Sequence, residues 1–389
     1  MVKKIAILGS TGSIGKSLLK LIKKDKKNFQ IKLLTAKTNY KILLKQAKFF
    51  NVKNVILTDK NIFKTYKYLF KKNKINVYNN YKIISTIINK RIDYVMSSIV
   101  GLDGLEPTIK IIKKTKSIAI ANKETIICAW SLIEKELRFY KTQFIPVDSE
   151  HFSIWYALKN NNITNVKKIY LTASGGPLLK VPIKKFNSLN IDKITNHPNW
   201  NMGKKISVDS STMMNKVFEI IEAKKIFNLK YNQLTILIHP KSYLHAIIQF
   251  KDRMIKIIAH DTTMDIPISN TLYQSKLTKK KLIINNLDLE IMNNLSLANI
   301  SEIKFPVIKL IKTLPDKNSL YETVIVSAND ALVDLFLKGK IKYLDISKYL
   351  LKIINLKEFK KFKKIYPRSI EDILKLSDYV RLKILSISV

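Results

Sequence analysis

The chain opens with an apolar run, Lys4-Ile5-Ala6-Ile7-Leu8, that meets Gly9-Ser10-Thr11-Gly12-Ser13-Ile14-Gly15 and passes at once into a helical pattern over residues 16–23. A strand, a glycine turn and a helix in immediate succession constrain the fold strongly, because the turn must hold strand and helix at close range. Glycines permit the tight turn and let backbone N–H groups approach an anion, while the helix N-terminus adds partial positive charge. An ordinary glycine turn is the plain alternative, but these flanks point to a dinucleotide pyrophosphate on Gly9, Ser10, Thr11, Gly12, Ser13, Ile14 and Gly15. The second strand decides between the two nicotinamide cofactors, since an Asp or Glu there favours the unphosphorylated ribose. Residues 30–39 contain no acid and carry Lys37 with Thr35, Thr38 and Asn39, a set suited to a 2′-phosphate, so NADPH is expected. A solvated lysine remains the other reading of Lys37.

Further strand-like runs follow, Gln30-Ile31-Lys32-Leu33-Leu34, Asn54-Val55-Ile56-Leu57, Tyr94-Val95-Met96-Ser97-Ser98 and Ser117-Ile118-Ala119-Ile120, spaced by amphipathic helical segments. Strands alternating with helices imply right-handed βαβ units and a parallel sheet. A chain of 389 residues exceeds one compact core, and the pattern divides it into an α/β, Rossmann-like domain over 1–147 that carries the glycine turn and a second α/β or α+β domain over 148–274 that carries the acidic and phosphate motifs. A linker is expected over 275–300 and a small helical domain over 301–389. In the middle domain, Lys168-Ile169-Tyr170-Leu171-Thr172 and residues 233–238 read as strands around a helix spanning 212–227.

The formal charge of +41, from 70 Lys and Arg against 29 Asp and Glu, raises the question of nucleic acid. The lysines are spread along the chain, though, and aromatic residues are not interleaved with basic runs as a stacking platform requires. Neither a nucleic-acid nor a membrane partner is expected. Cys128 is the single cysteine, which excludes an internal disulfide and a multi-cysteine metal site and suggests a reducing compartment. It reads as a buried apolar residue, and a semialdehyde dehydrogenase with a nucleophilic cysteine fits poorly because no histidine adjoins it. Met1 leads directly into a strand without a signal segment, so a cytoplasmic location is expected.

Asp148, Ser149, Glu150 and His151 follow the apolar run Ile145-Pro146-Val147. Read as extended chain, the two acids point to one side and repel unless a cation neutralises them. Hard oxygen donors suit Mg²⁺ or Mn²⁺, with Co²⁺ as a further possibility, and a solvent-exposed pair is the alternative. Lys216, Glu219 and Glu222 recur every three residues and share a helical face, which makes Glu219 the candidate third ligand against the reading of a surface ion pair. Ser174-Gly175-Gly176-Pro177 and Ser210-Ser211-Thr212-Met213-Met214-Asn215-Lys216 offer amides, hydroxyls and an ammonium for a phosphate, although residues 210–212 also read as helix caps. His197-Pro198-Asn199-Trp200-Asn201-Met202-Gly203 carries large groups on a loop, either a lid over a reacting centre or an anchor to the core. His239 and His245 read equally well as core histidines.

The order of these segments, with Ala119-Ile120-Ala121-Asn122-Lys123-Glu124 and His239-Pro240-Lys241-Ser242, resembles the 1-deoxy-D-xylulose 5-phosphate reductoisomerase family. The likeness runs from residue 3 to about 250 and resumes at Phe305-Pro306 and Ser327-Ala328-Asn329-Asp330. It implies a homodimer that uses NADPH and a divalent metal to convert 1-deoxy-D-xylulose 5-phosphate into 2-C-methyl-D-erythritol 4-phosphate, toward isoprenoid precursors. By motif position, Asp148, Glu150 and Glu219 would hold the metal and Lys123 and Ser149 would contact substrate oxygens. Ser174, Ser210, Asn215 and Lys216 would take the phosphate with His197 close by as a substrate-binding residue, and Trp200 and Met202 would cover the substrate. Asn122, Glu124 and Gly203 would join Lys37 and Asn39 at the cofactor. The chain departs from the family pattern at Asp252-Arg253-Met254, where Asp-Gly is usual, at residues 262–267, and at Val217-Phe218 in place of Gly-Leu. A weakened dimer edge and lowered stability are expected from these departures.

Overall fold

The computed structural model describes residues 2–200, 202–274 and 288–388, which fall into two compact units. The first takes in residues 1–125, 132–148 and 264–286. Its strands are β1 (Lys3–Leu8), β2 (Phe29–Ala36), β3 (Asn54–Leu57), β4 (Asn76–Tyr78), β5 (Ile92–Ser97), β6 (Thr115–Ile120) and β7 (Gln143–Pro146). They form one sheet in the order β4-β3-β2-β1-β5-β6-β7, and every pairing is parallel. Ile5, Ala6, Ile7 and Leu8 are all fully buried, as expected of central strands covered on both faces. The chain runs outward in one direction from β1 to β4 and in the other from β5 to β7, so the order reverses beside β1. In open α/β sheets the crevice at the carboxyl ends of the strands around such a reversal takes the ligand. Helix Asp265–Tyr273 packs on helix Ser13–Lys24, with Tyr94 Oη bonded to Thr271 Oγ1 at 2.9 Å and Tyr273 Oη donating to Asp25 Oδ2 at 2.9 Å.

The second unit takes in residues 126–131, 149–263 and 287–389. Its strands are β8 (Val166–Ala173), β9 (Leu234–Ile238), β10 (Leu244–Phe250), β11 (Ile255–Ala259) and β12 (Ala298–Asn299), in the order β11-β10-β8-β9-β12. Only β8 and β9 run parallel. Helices Ser149–Ala157 and Met214–Phe227 pack on this sheet and on each other. Helix Tyr321–Leu337 is buried through residues 321–333, because it packs against helices Tyr343–Ile354, Ile370–Ser388 and Lys204–Thr212. Of the segment expected as a linker, residues 275–287 lie outside the described residues, and the remainder holds the short helix Leu289–Asn293 and β12. Cys128 is buried. Among the described residues no helix is long and apolar enough to cross a membrane.

Two local readings of the sequence differ from the structure. The helix expected over 212–227 is two helices, Lys204–Thr212 and Met214–Phe227, divided by Met213 in the left-handed region at φ 67°. Residues 149–150 are helical rather than extended, since the Ser149–Ala157 helix begins as soon as β7 has ended at Pro146. The β10–β11 hairpin turns through Arg253 at φ 73°, a conformation that an L-residue with a side chain adopts at a cost. Replacing Arg253 by Gly relieves that strain while loosening the unfolded chain, for a net gain of roughly 0.5–1 kcal/mol. Thermal melting of Arg253→Gly is expected about 2 °C above the parent, and an unchanged or lower midpoint would count against strain at this turn.

Candidate active site

In the first unit the turn after β1 is built so that only glycine fits at two positions. Gly9 sits at φ 82°, and a Cβ there would meet Ser98 O at 2.7 Å; one on Gly15 would meet Gly9 O at 2.5 Å and Ser10 Cα at 2.6 Å. Ser10 is fully buried and serves the turn itself, its Oγ donating to Gln46 Oε1 at 2.8 Å while its carbonyl accepts from Gln46 Nε2 at 2.9 Å. Thr35 Oγ1 accepts from Gly9 N at 2.9 Å. Gly12 caps helix Ser13–Lys24 without a side-chain hydrogen bond, so no cap side chain takes the first-turn amides, the donors that a helix start offers to an anion.

Lys37 and Asn39 lie exposed just past β2. Lys37 Nζ pairs with Asp103 Oδ2 at 2.7 Å, and Asn39 Oδ1 accepts from Ile42 N at 3.2 Å as a helix cap. Asn122 is buried and ties the turn after β5 to the helix after β6: its Nδ2 donates to the carbonyls of Ile99 and Gly101, and its Oδ1 accepts from Thr125 N at 2.8 Å. A Cβ on Gly104 would sit 2.4 Å from Asn122 Nδ2, so Gly104 is part of this turn, a role that its lone glycine in a loop did not signal. Lys123 and Glu124 are buried, and Lys123 Nζ pairs with Asp148 Oδ2. Those two partners leave the carboxyl ends of the neighbouring strands β6 and β7.

In the second unit a charged cluster is assembled by two helices. Glu150, in the first turn of Ser149–Ala157, reaches Lys216 Nζ at 3.0 Å, and Lys216 also pairs with Glu219 Oε2 one helical turn on. Asn215 Nδ2 donates to Glu219 Oε1 at 2.5 Å, and Ser149 Oγ donates to Glu150 Oε2 at 2.7 Å. Lys216 is 4% exposed and Glu219 1%, so two carboxylates share one buried ammonium. His151, fully buried, bonds through Nε2 to the backbone carbonyl of Glu219 at 2.9 Å, and Glu222 turns toward His151. Sequence reasoning gave neither His151 nor Glu222 a role, although Glu222 on the face of Lys216 and Glu219 was the available signal.

The glycine turn after β8 packs straight onto the next element of the site. Gly176 has φ 65°, and a Cβ there would lie 2.9 Å from Ser210 O and 3.0 Å from Ser211 Cα. This brings Ser174 and half-buried Ser210 to neighbouring backbones. Ser174 Oγ is 3.0 Å from His197 Nε2 and accepts from Gly176 N at 3.0 Å. His197 Nδ1 accepts from the amides of Asn199 and Trp200, each at 3.1 Å, so its proton is on Nε2, where it donates to Ser174. Burial lowers the His197 pKa to about 4, and the ring is neutral at physiological pH. The loop encloses an open hollow of about 470 Å³ lined by His197, Trp200 and Met202 among others, while Gly203 caps helix Lys204–Thr212 with open space where a Cβ would stand. Behind it, Asp209 takes Asn329 Nδ2 at 2.7 Å and Lys205 Nζ at 3.4 Å, and Lys205 reaches Asp330 at 2.9 Å. The Asn329-Asp330 pair thus braces the helix that carries Ser210.

Family models described as 1-deoxy-D-xylulose 5-phosphate reductoisomerase match residues 5–130, and models of its C-terminal domains match 144–227 and 261–383. A 1-deoxy-D-xylulose 5-phosphate reductoisomerase of Pelagibacter ubique (strain HTCC1062) is 59% identical, with all of both chains covered. The chain belongs to the 1-deoxy-D-xylulose 5-phosphate reductoisomerase family. A reductoisomerase of Clostridium kluyveri is 36% identical over 98% of this chain and 99% of its own. Among solved structures, the reductoisomerase from Zymomonas mobilis in complex with NADPH superposes with a TM-score of 0.87 at 29% identity, covering 100% of this chain and 99% of the other. A reductoisomerase in complex with NADPH, fosmidomycin and magnesium gives 0.91 at 28% identity, covering 100% and 98%. The parallel α/β sheet, the middle sheet with its helices and the helical C-terminal region are those of a reductoisomerase.

Proposed function

We propose that the chain catalyses the NADPH- and divalent-metal-dependent rearrangement and reduction of 1-deoxy-D-xylulose 5-phosphate to 2-C-methyl-D-erythritol 4-phosphate, in the methylerythritol phosphate route to isopentenyl diphosphate. The observation that carries this reading is the buried cluster in which Glu150 and Glu219 share the Lys216 ammonium, in a chain that belongs to this family.

The donor sets fit both NADPH and a divalent cation. At the Gly9–Gly15 turn, Cβ atoms would fill the cradle and the first-turn amides carry no side-chain cap, which suits a pyrophosphate. Lys37 and Asn39 would face the 2′-phosphate, with Asn122, Glu124 and Gly203 completing the cofactor side. Asp148, Glu150 and Glu219 are hard oxygen donors, each lysine-paired as carboxylates that need a cation nearby would be, and they would hold Mg²⁺ or Mn²⁺. A divalent cation there supplies Lewis-acid polarisation of the substrate's ketone and hydroxyl oxygens. NADPH supplies the hydride that reduces the rearranged aldehyde.

The chain's own groups do the rest. Lys123 donates a hydrogen bond from its ammonium to a substrate oxygen that becomes negative, and Ser149 hydrogen-bonds the neighbouring hydroxyl. Ser174, Ser210 and Asn215 donate to the phosphate, with Ser174 oriented by the Nε2–H of His197, and Lys216 adds an ammonium. Trp200 and Met202 close over the substrate and exclude water. We further infer a cytoplasmic homodimer joined through β11, an edge strand whose Ile255 and Ile257 are each 54% exposed. Sedimentation at the mass of a single chain would refute that assembly.

The decisive test is NADPH absorbance on mixing the purified chain with 1-deoxy-D-xylulose 5-phosphate and Mg²⁺ or Mn²⁺. Oxidation that requires both substrate and cation is expected. A folded chain that binds NADPH yet consumes none under these conditions would sink the assignment.

A further inference from the structure

We propose that His260 is a positioning residue for the lid, holding the Trp200 ring through a stack on His245; this rests on the reading of Trp200 as a substrate cover. The His245 and His260 rings lie parallel, centroids 3.7 Å apart and planes 17° apart, and Trp200 meets His245 edge-on at 6.2 Å and 71°. Phe152 meets His260 edge-on at 6.4 Å and 65°. The result is a row of rings running from the Ser149–Ala157 helix to the lid.

Three features of the backbone aim this row. In the β10–β11 ladder Leu244 pairs with Ala259 and Ala246 with Ile258, so His245 is the extra residue of a bulge, a device that redirects a side chain out of the regular alternation. His245 Nε2 donates to the His260 carbonyl at 3.2 Å, and His260 Nδ1 donates to the Asp261 carbonyl at 2.8 Å. His260 N donates to Tyr243 O at 3.1 Å, which ties the end of β11 to the start of β10. These bonds fix the tautomer of both rings, and the stack sets the plane of each against the other. Burial lowers the pKa of His260, which keeps its ring neutral and able to stack. Asn199 holds the lid base by donating to Pro240 O at 2.6 Å and to Ser242 Oγ at 2.9 Å, but among the described residues the ring of Trp200 meets only His245 in an aromatic contact. Without His260, His245 loses the face that holds its plane, and Trp200 loses its reference.

The test compares His260→Ala with His260→Phe, which keeps a stacking ring. A difference fluorescence spectrum between each chain and the same chain carrying Trp200→Phe reports the Trp200 environment without turnover. His260→Ala is expected to shift Trp200 emission to the red and to raise KM for the sugar phosphate about fivefold, with kcat within about twofold of the parent. His260→Phe is expected to do neither. A Trp200 spectrum unmoved by His260→Ala, or moved equally by both variants, overturns the proposal, as does an unmoved KM in an active parent. Should the parent fail to turn the substrate over, the functional reading falls alone, because the spectrum decides the role of His260 by itself.

Discussion

Glu219→Gln is expected to lower kcat by at least about 10³-fold and to abolish tight Mn²⁺ binding while the chain still folds. The side chain is 1% exposed and its two oxygens are engaged by Asn215 and Lys216. Gln keeps the volume and one carbonyl oxygen but removes the negative charge, and with Glu219 as the proposed metal ligand that loss costs several kcal/mol of transition-state stabilisation. Lys216 retains Glu150 at 3.0 Å as its counter-charge, so no buried ammonium is left bare, and the penalty on folding stays below the roughly 3–5 kcal/mol of a fully broken buried pair. Turnover assays beside calorimetric Mn²⁺ titration check both halves. Wild-type metal affinity in the variant would remove Glu219 from the metal site.

Gly15→Ala is expected to weaken NADPH binding by at least about 100-fold and to destabilise the first unit by roughly 1–3 kcal/mol. Its Cβ would arrive 2.5 Å from Gly9 O and 2.6 Å from Ser10 Cα, and neither neighbour can swing aside as a flexible side chain would. The turn must open, and the amides proposed to hold the pyrophosphate move with it. Fluorescence titration with NADPH and a melting curve read the two effects. Gly12→Ala, whose Cβ would lie 3.4 Å from Gly9 O, is the matched control and should perturb folding much less. Equal NADPH affinity in Gly15→Ala and the parent would mean the turn does not contact the cofactor.

The parts legible in the sequence are those whose causes are local. The strand, turn and helix at the N-terminus announce themselves because tight geometry demands glycine, and the three-residue spacing put Lys216 and Glu219 on one helical face, where they pair, although the pair is buried rather than on the surface as the alternative reading had it. Other features hid for physical reasons. Met213 takes a left-handed conformation that Gly or Asn would have signalled and Met does not. Asp148-Ser149-Glu150 read as extended because an apolar run precedes it, whereas the Ser149–Ala157 helix begins within it. The bulge at His245 leaves no compositional trace, since it arises from the register of β10 against β11. Pairings such as Asp209 with Asn329 join residues more than a hundred positions apart, and no periodicity encodes them.

The lysines beside the carboxylates have a consequence for how the molecule is made. In the second unit Glu150 and Glu219 both pair with Lys216, so the nascent chain brings its own counter-ion to this pair of acids. Like charges that would otherwise repel in a dry interior are neutralised from within. Folding of the two helices that carry these acids then has no need to wait for a metal ion, and a chelator is expected to leave their packing intact.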